Sequence, residues 1–198
     1  MIQIHFMNFR IRCHWARFCF AGLLLLGMTA CTNLNAQRND ADLVPVSVIG
    51  VQHMGENFSV GVFYIDGAGG SNIGRGGGGG KSVCCSSLPA KWYPDMTTVV
   101  RWSVVDWSHE NRAEIEVENY ASIKSGGRFK ATVPIEQYDK ASNLYVHFFP
   151  GGKVRVTTRL KDLIPDGPHE DATAMLGVPV QELFTKEELL QKRSGSTQ

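Results

Sequence analysis

Apolar and polar residues alternate with a period of two along most of this chain, the spacing of strands with one buried face. Val44 to Met54 alternates around Val46, Val48 and Val51, and Phe58 to Ile65 carries Val60, Val62, Phe63 and Tyr64. Thr97 to Trp107 holds Val99, Val100, Trp102, Val104 and Val105. Ala113 to Tyr120 sets Ile115 and Val117 against Glu114, Glu116 and Glu118, which predicts a strand with a charged outer face. Phe129 to Ile135, Leu144 to Phe149 and Val154 to Leu160 complete the series. Pro150-Gly151-Gly152 between the last two is a turn signal, so they read as an antiparallel hairpin. In its first strand Leu144, Val146 and Phe148 face one way, and Tyr145, His147 and Phe149 the other.

One helix is well signalled. Thr185 to Glu188 has the form of a capping box ahead of Leu189-Leu190, with Gly195 and its polar neighbours ending the helix. Pro165 to Pro179 is rich in proline and glycine and reads as irregular. Regularly spaced strands with turn residues between them predict a mainly β fold, a single antiparallel β-sandwich or open barrel with a short C-terminal helix.

The amino end follows a different pattern. Arg10, Arg12 and Arg17 precede an apolar stretch from Phe18 to Met28, and small Thr29 and Ala30 precede Cys31. Those are the three parts of a lipoprotein signal peptide, cut before a cysteine that then carries lipid. The apolar stretch has 11 residues, whereas a membrane-spanning helix needs about 20. An ordinary secretory leader cut near Ala36 is the alternative. The organisation expected is therefore a signal peptide over residues 1–30, a polar flexible tether over 31–42, and one β-rich domain over 43–198. Bacterial lipoproteins resembling this one carry three acyl chains on the cysteine, and stable anchoring needs more than one. By resemblance to sorted lipoproteins, Thr32 in place of aspartate after Cys31 favours the outer membrane, facing the periplasm.

Cleavage changes the charge. The whole chain has 20 Lys and Arg against 19 Asp and Glu. Losing Arg10, Arg12 and Arg17 leaves 17 basic residues against 19 acidic, or −2, with no dense basic cluster. That argues against nucleic acid as the main partner, since phosphate binding leans on Lys and Arg. Of the 5 cysteines, Cys13 and Cys19 leave with the leader and Cys31 takes lipid. Cys84 and Cys85 remain, adjacent and in an oxidising compartment.

Gly67 to Gly80 is the segment that no pattern above absorbs. It holds nine glycines, with Gly76, Gly77, Gly78, Gly79 and Gly80 unbroken ahead of Lys81. A phosphate-binding loop is excluded by register, because Arg75 stands where that motif needs its first glycine. A helix would also have to follow the lysine, and Ser82-Val83-Cys84-Cys85 is strand-like. The remaining readings are a loop whose backbone donors receive an anion or a partner chain, and a plain connection between strands. Five consecutive glycines lose much entropy on ordering, so an ordered loop requires compensation from packing or a partner. Cys84 and Cys85 are candidates for a strained vicinal disulfide, or for two small buried side chains that end the glycine segment. A metal site would need further ligands at a recognised spacing, and none is expected.

The order glycine loop, Cys84-Cys85, Leu88-Pro89, Trp92-Tyr93-Pro94, Val100-Arg101-Trp102 and Leu144-Tyr145-Val146-His147-Phe148 resembles a bacterial lipoprotein family known as domain of unknown function 3304. The resemblance runs from Val44 to Arg159, with Asp95 where glycine is expected after Trp-x-Pro. The family brings no assigned activity. Lipoproteins of this kind resemble those found beside type VI secretion effectors, where small envelope lipoproteins act as immunity proteins.

No catalytic pattern completes itself. His109-Glu110 begins like a zinc-protease motif, but Ala113 stands at the second histidine's place. Ser86 and Ser87 lack a nucleophile elbow. His53, His109, His147 and His169 are scattered, and His147 reads as a packed strand residue. Trp92, Trp102 and Trp107 read as core before they read as a ligand groove. The expectation is a non-enzymatic module without catalytic residues or cofactor. It would sit on the membrane through its lipid and bind a protein, a toxin or an envelope component. Its sharpest form is an immunity protein against a lipase-type toxin of type VI secretion, contacting it with Gly76 to Lys81, the Cys84 to Lys91 segment and Trp92. A structural or assembly lipoprotein of the envelope is the alternative, and a redox or hydrolytic enzyme using Cys84 and Cys85 comes third.

Overall fold

The computed structural model describes residues 42–69, 71–159 and 174–195, with the side chains of 78–85 and 192–195 outside that description. The leader, Cys31 and the tether lie outside the described residues. Ten strands and two short helices follow in order: β1 (Leu43–Gln52), β2 (Phe58–Ile65), β3 (Ala68–Gly69), β4 (Gly78–Pro89), β5 (Thr97–Asp106), α1 (Arg112–Glu116), β6 (Lys124–Pro134), β7 (Leu144–Phe149), β8 (Lys153–Thr157), β9 (Met175–Leu176), β10 (Val178–Pro179) and α2 (Lys186–Gly195).

The strands form two five-stranded sheets, ordered β4-β1-β7-β8-β9 and β10-β6-β5-β2-β3. The inner faces share one core, in which Val48, Phe63, Val100, Trp102, Val146, Phe148 and Val156 are at most 3% exposed. This is the sandwich that the alternation predicts. It departs from a purely antiparallel arrangement at β1 and β7, which pair parallel from Val48↔Leu144 to Gln52↔Phe148. A parallel pair needs a long crossover, and here the chain between β1 and β7 supplies it, β2, β3, β5 and β6 building the other sheet while β4 returns to flank β1.

The segment after residue 173 joins the two sheets. Met175–Leu176 pairs with β8 and Val178–Pro179 with β6, so a stretch read as irregular passes from one sheet to the other. Gly177 sits at the crossing, where a Cβ would lie 2.5 Å from Cη2 of Trp102 and 3.0 Å from the Gly152 carbonyl oxygen. Residues 165–173 of that stretch lie outside the described residues.

The hairpin holds as expected, with β7 antiparallel to β8 and Pro150–Gly152 turning between them, Gly151 and Gly152 at φ of 73° and 75°. All six residues of β7 are buried, however. Tyr145, His147 and Phe149, on the face away from the shared core, are no more than 5% exposed. The central strand is therefore covered on both faces.

The strand predicted over Ala113 to Tyr120 is instead the helix α1. Asn111 caps it, its side chain accepting a hydrogen bond from the Ala113 amide at 3.1 Å. Both sides of β5 are already taken by β2 and β6, so the Glu and Ile alternation meets no sheet edge, and local capping decides. Val117 and Tyr120 are left 73% and 55% exposed.

The C-terminal capping box forms as read. The Glu188 amide donates to Thr185 Oγ1 at 3.2 Å, and the Thr185 amide donates to Glu188 Oε2 at 3.0 Å.

Candidate functional site

The glycine segment folds into two different things. Ile73 is a core residue, 2% exposed, and pairs with Val60 through backbone hydrogen bonds of 2.9 and 3.1 Å. Gly76 and Gly77 then bend the chain with φ of 83° and 81°, a region that residues with a Cβ rarely enter. Gly78, Gly79 and Gly80 belong to β4, with Gly78 opposite Gln52 and Gly79 opposite Val51. The expected long loop over Gly67 to Gly80 is thus shortened at both ends, since Ala68–Gly69 also forms β3.

The compensation that an ordered glycine run requires is present on its flanks. Gln52, 1% exposed, uses its side-chain amide to donate to the carbonyls of Gly55, Phe58 and Gly74 at 3.2, 3.3 and 3.2 Å. Its Oε1 accepts from the Met54 amide at 2.7 Å. One buried amide therefore ties the β1–β2 turn to the glycine segment. Arg75 lays its guanidinium 5.0 Å from the centre of the Trp107 ring and forms an ion pair with Glu110. The Trp107 indole nitrogen donates to Ser59 Oγ at 2.8 Å. Arg75, Trp107, Glu110, Arg112, Ile115 and Glu116 line an open cleft of about 430 Å³.

β4 is twelve residues long and, among the described residues, pairs along one side only, with β1. Its register slips twice. Val46 faces Ser86 and Val48 faces Val83, so Cys84 and Cys85 together oppose Ser47 alone. Ile49 faces Ser82 and Val51 faces Gly79, so Gly80 and Lys81 together oppose Gly50. Two residues against one is the geometry of a β-bulge, which interrupts the ladder and bends the strand. The twin cysteines and the Gly80-Lys81 pair are the two interruptions of a sheet edge, a placement that periodicity cannot reveal. The sequence gives only their strand character.

The far end of β4 is fixed by aromatic side chains. Tyr138 donates its hydroxyl to the Pro89 carbonyl at 2.7 Å, and burial, with the nearby Tyr93, pushes its phenol pKa up. Trp92 packs half-buried against the core and donates its indole N–H to the Ile135 carbonyl at 2.9 Å. Asp95 adopts φ of 65°, the left-handed conformation that makes glycine the expected residue after Trp-Tyr-Pro. Aspartate is one of the few residues that tolerate it. Gly76, Gly77 and Trp92 therefore lie at opposite ends of β4, with Lys81, Cys84 and Cys85 along it.

The histidines do not gather around this edge. His53 and His147 meet each other, Nε2 of His53 lying 2.9 Å from Nδ1 of His147, with near-parallel rings whose centres are 5.2 Å apart. His53 also stacks on Phe149 at 4.7 Å. One of the two nitrogens must donate, so the tautomers of the pair are linked. The parallel pairing of β1 with β7 creates this contact between residues 94 positions apart, and sequence spacing could not have shown it. His109 is exposed and His169 lies outside the described residues. Among the described residues, no three His, Cys, Asp or Glu side chains converge as a metal site would need.

Two clusters of ion pairs lie elsewhere. Arg155 and Arg159 both hold the Glu136 carboxylate, and Arg101 and Lys130 hold that of Glu188. Trp102 is core, 1% exposed and stacked on Phe129. No described helix is long and apolar enough to cross a membrane.

Over residues 55–156 the chain matches the model of the family described as "Protein of unknown function (DUF3304)". The match covers just over half of the 198 residues and includes β4 with its glycines and cysteines. The chain belongs to this family. No curated protein and no solved structure matches it.

Proposed function

We propose that this member of the family is a non-enzymatic envelope lipoprotein, anchored through Cys31 and built to bind one protein partner along β4. The observation that supports this reading is the edge that β4 forms among the described residues. A sheet edge offers unpaired backbone groups to any passing strand, and proteins blunt it with bulges, lysine and proline. β4 carries all three: two bulges, Lys81 and Pro89. An edge interrupted in this way rejects generic strands and selects a partner whose backbone matches the interruptions. The glycines next to it let a partner's main chain come close.

The sharper reading is an immunity protein that caps a periplasm-acting, lipase-type toxin of type VI secretion. It rests on the lipoprotein leader and on the resemblance noted above. A structural or assembly lipoprotein of the envelope would share the anchor and the fold.

The test is capture from envelope extract with the full lipidated chain, followed by mass spectrometry of what is retained. A secreted lipase retained by the native chain, and lost when Lys81 is replaced by Glu, is the expected result. Protection of lipase-exposed cells by the native chain alone would complete it. Retention of wall or assembly components in place of a toxin would overturn the immunity reading. An unmodified Cys31 thiol, or recovery from the cytosol, would overturn the envelope reading.

A further inference from the structure

Arg101 stands on the outer face of the second sheet, opposite Tyr64 of β2 and Lys130 of β6. It is 8% exposed, and its guanidinium lies 4.8 Å from the centre of the Phe184 ring. Nη2 donates to Oε1 of Glu188 at 2.5 Å, while Nε is buried without a hydrogen-bond partner. Lys130 Nζ reaches the same Glu188 oxygen at 3.5 Å. The other oxygen, Oε2, is committed to the Thr185 amide as the helix cap.

One carboxylate thus serves two masters. The Nε–Nη2 edge of an arginine fits a carboxylate through both oxygens, in two parallel hydrogen bonds. Here Glu188 meets Arg101 through Oε1 alone, and its Oε2 is turned to the Thr185 amide that closes the capping box. The buried Nε donor goes unmet, a condition that native interiors normally avoid. An outside carboxylate, free of any capping duty, would satisfy both donors and take Lys130 as well.

The segment carrying Glu188 is built to yield. α2 buries little apolar surface, leaving Leu189 and Leu190 46% and 64% exposed. Among the described residues, the Phe184 ring and the Glu188 carboxylate tie it to Arg101 and Lys130. Elements with few buried apolar contacts open at the lowest free energy.

The geometry points to an anion site on the outer face of the second sheet, made by Arg101 and Lys130 and filled in this chain by its own Glu188, which an acidic segment of a protein partner displaces. That the partner is a protein rests on the binding-module reading above; the self-filled site does not. The site lies on a different sheet from β4, so it is a second contact area.

A fluorescein-labelled hexaglutamate peptide, titrated by anisotropy into the full chain in detergent, tests the site. A self-filled site weakens a competing ligand by the fraction of time it stands open. Glu188→Gln should therefore bind the peptide about fivefold or more tightly than the native chain. Phe184→Ala, which keeps every charge and removes the ring stacked on Arg101, should shift affinity the same way. Lys130→Gln added to Glu188→Gln should reverse the gain, and hexalysine should not bind. Equal affinity of the native chain and both opened variants, absence of peptide binding to any of them, or indifference to Lys130→Gln would overturn the site. Those results with partner capture through β4 intact would remove this inference alone.

Discussion

The side-chain amide of Gln52 and the carbonyl of Gly74 are joined by a 3.2 Å hydrogen bond that links a core strand to the glycine segment. The same amide serves Gly55 and Phe58, and its oxygen serves Met54. Four backbone groups, from the β1–β2 turn, the start of β2 and the glycine segment, thus depend on one buried side chain. Gln52→Leu keeps the bulk and removes every partner. Leaving buried groups unmet costs about 1–3 kcal/mol each where water cannot replace the partner, and partial solvent access here holds the sum near the upper end of a single loss. The variant should lose about 2–3 kcal/mol in urea unfolding. Amide exchange should accelerate at Gly74 to Gly77 and leave β7 unchanged. Unaltered exchange in the glycine segment would show that Arg75 and Ile73 order it alone.

Gly50 is required by its neighbours. A Cβ there would stand 2.4 Å from Cδ1 of Ile73 and 2.8 Å from Cε1 of Phe63. Gly50 also faces the Gly80-Lys81 bulge, so overpacking is felt where β4 is already bent. Gly50→Ala should destabilise by about 1–3 kcal/mol, the usual cost of an extra methyl group in a tight core. Ile73→Val removes the clashing Cδ1. In the double variant the two losses should sum to less than their total, by 0.5 kcal/mol or more on a thermodynamic cycle, about the smallest coupling expected of touching residues. Strict additivity would place the strain elsewhere.

Trp92 separates folding from binding. Its ring packs on the core and its N–H meets the Ile135 carbonyl. Trp92→Phe retains the ring and deletes the donor, which should cost about 1–2 kcal/mol. Partner capture per folded molecule should be unchanged, because the group removed points inward. A variant that folds with native stability yet fails to capture would assign Trp92 to the interface after all.

Much of this fold was legible in the alternation of side chains. Phe58–Ile65 and Leu144–Phe149 have the bounds that the pattern predicts, and the Thr185–Glu188 box caps its helix as its spacing requires. What escaped detection was set by partners distant in sequence. Ile115 and Val117 alternate with glutamates as a strand would, but a strand needs a free edge and β5 has none. The Gly78 to Cys85 stretch lacks an apolar period, so its place at the edge beside β1 could be learned only from register. The His53 and His147 contact exists because two strands run parallel, a choice made by the crossover and invisible in either segment alone. Gln52, the hub of the glycine segment, looks in sequence like any polar residue at a strand end.

Glu136 makes the acid stability of the domain predictable. Burial pushes its carboxyl pKa up, but hydrogen bonds and charge from Arg155 and Arg159 outweigh burial and hold it below the ordinary carboxylate value. A folded-state pKa lower than the unfolded one means that the unfolded chain binds more protons, so this group's contribution grows with pH. The contribution is complete above the ordinary carboxylate range and is lost as pH falls through the depressed folded value. Glu136→Gln removes the charge at every pH and should cost about 1.5–3 kcal/mol at neutrality, the worth of charged hydrogen bonds. The gap between native and variant should stay constant down to the ordinary carboxylate range and close below it. Glu188 and Asp106, also held low, by hydrogen bonds from Thr185 and Ser108 respectively, titrate in the same acid region. They are common to both proteins, so the difference between the two urea titrations isolates Glu136. A gap that persists unchanged to strong acid would mean that the carboxylate's charge contributes nothing and that only its shape holds the two arginines.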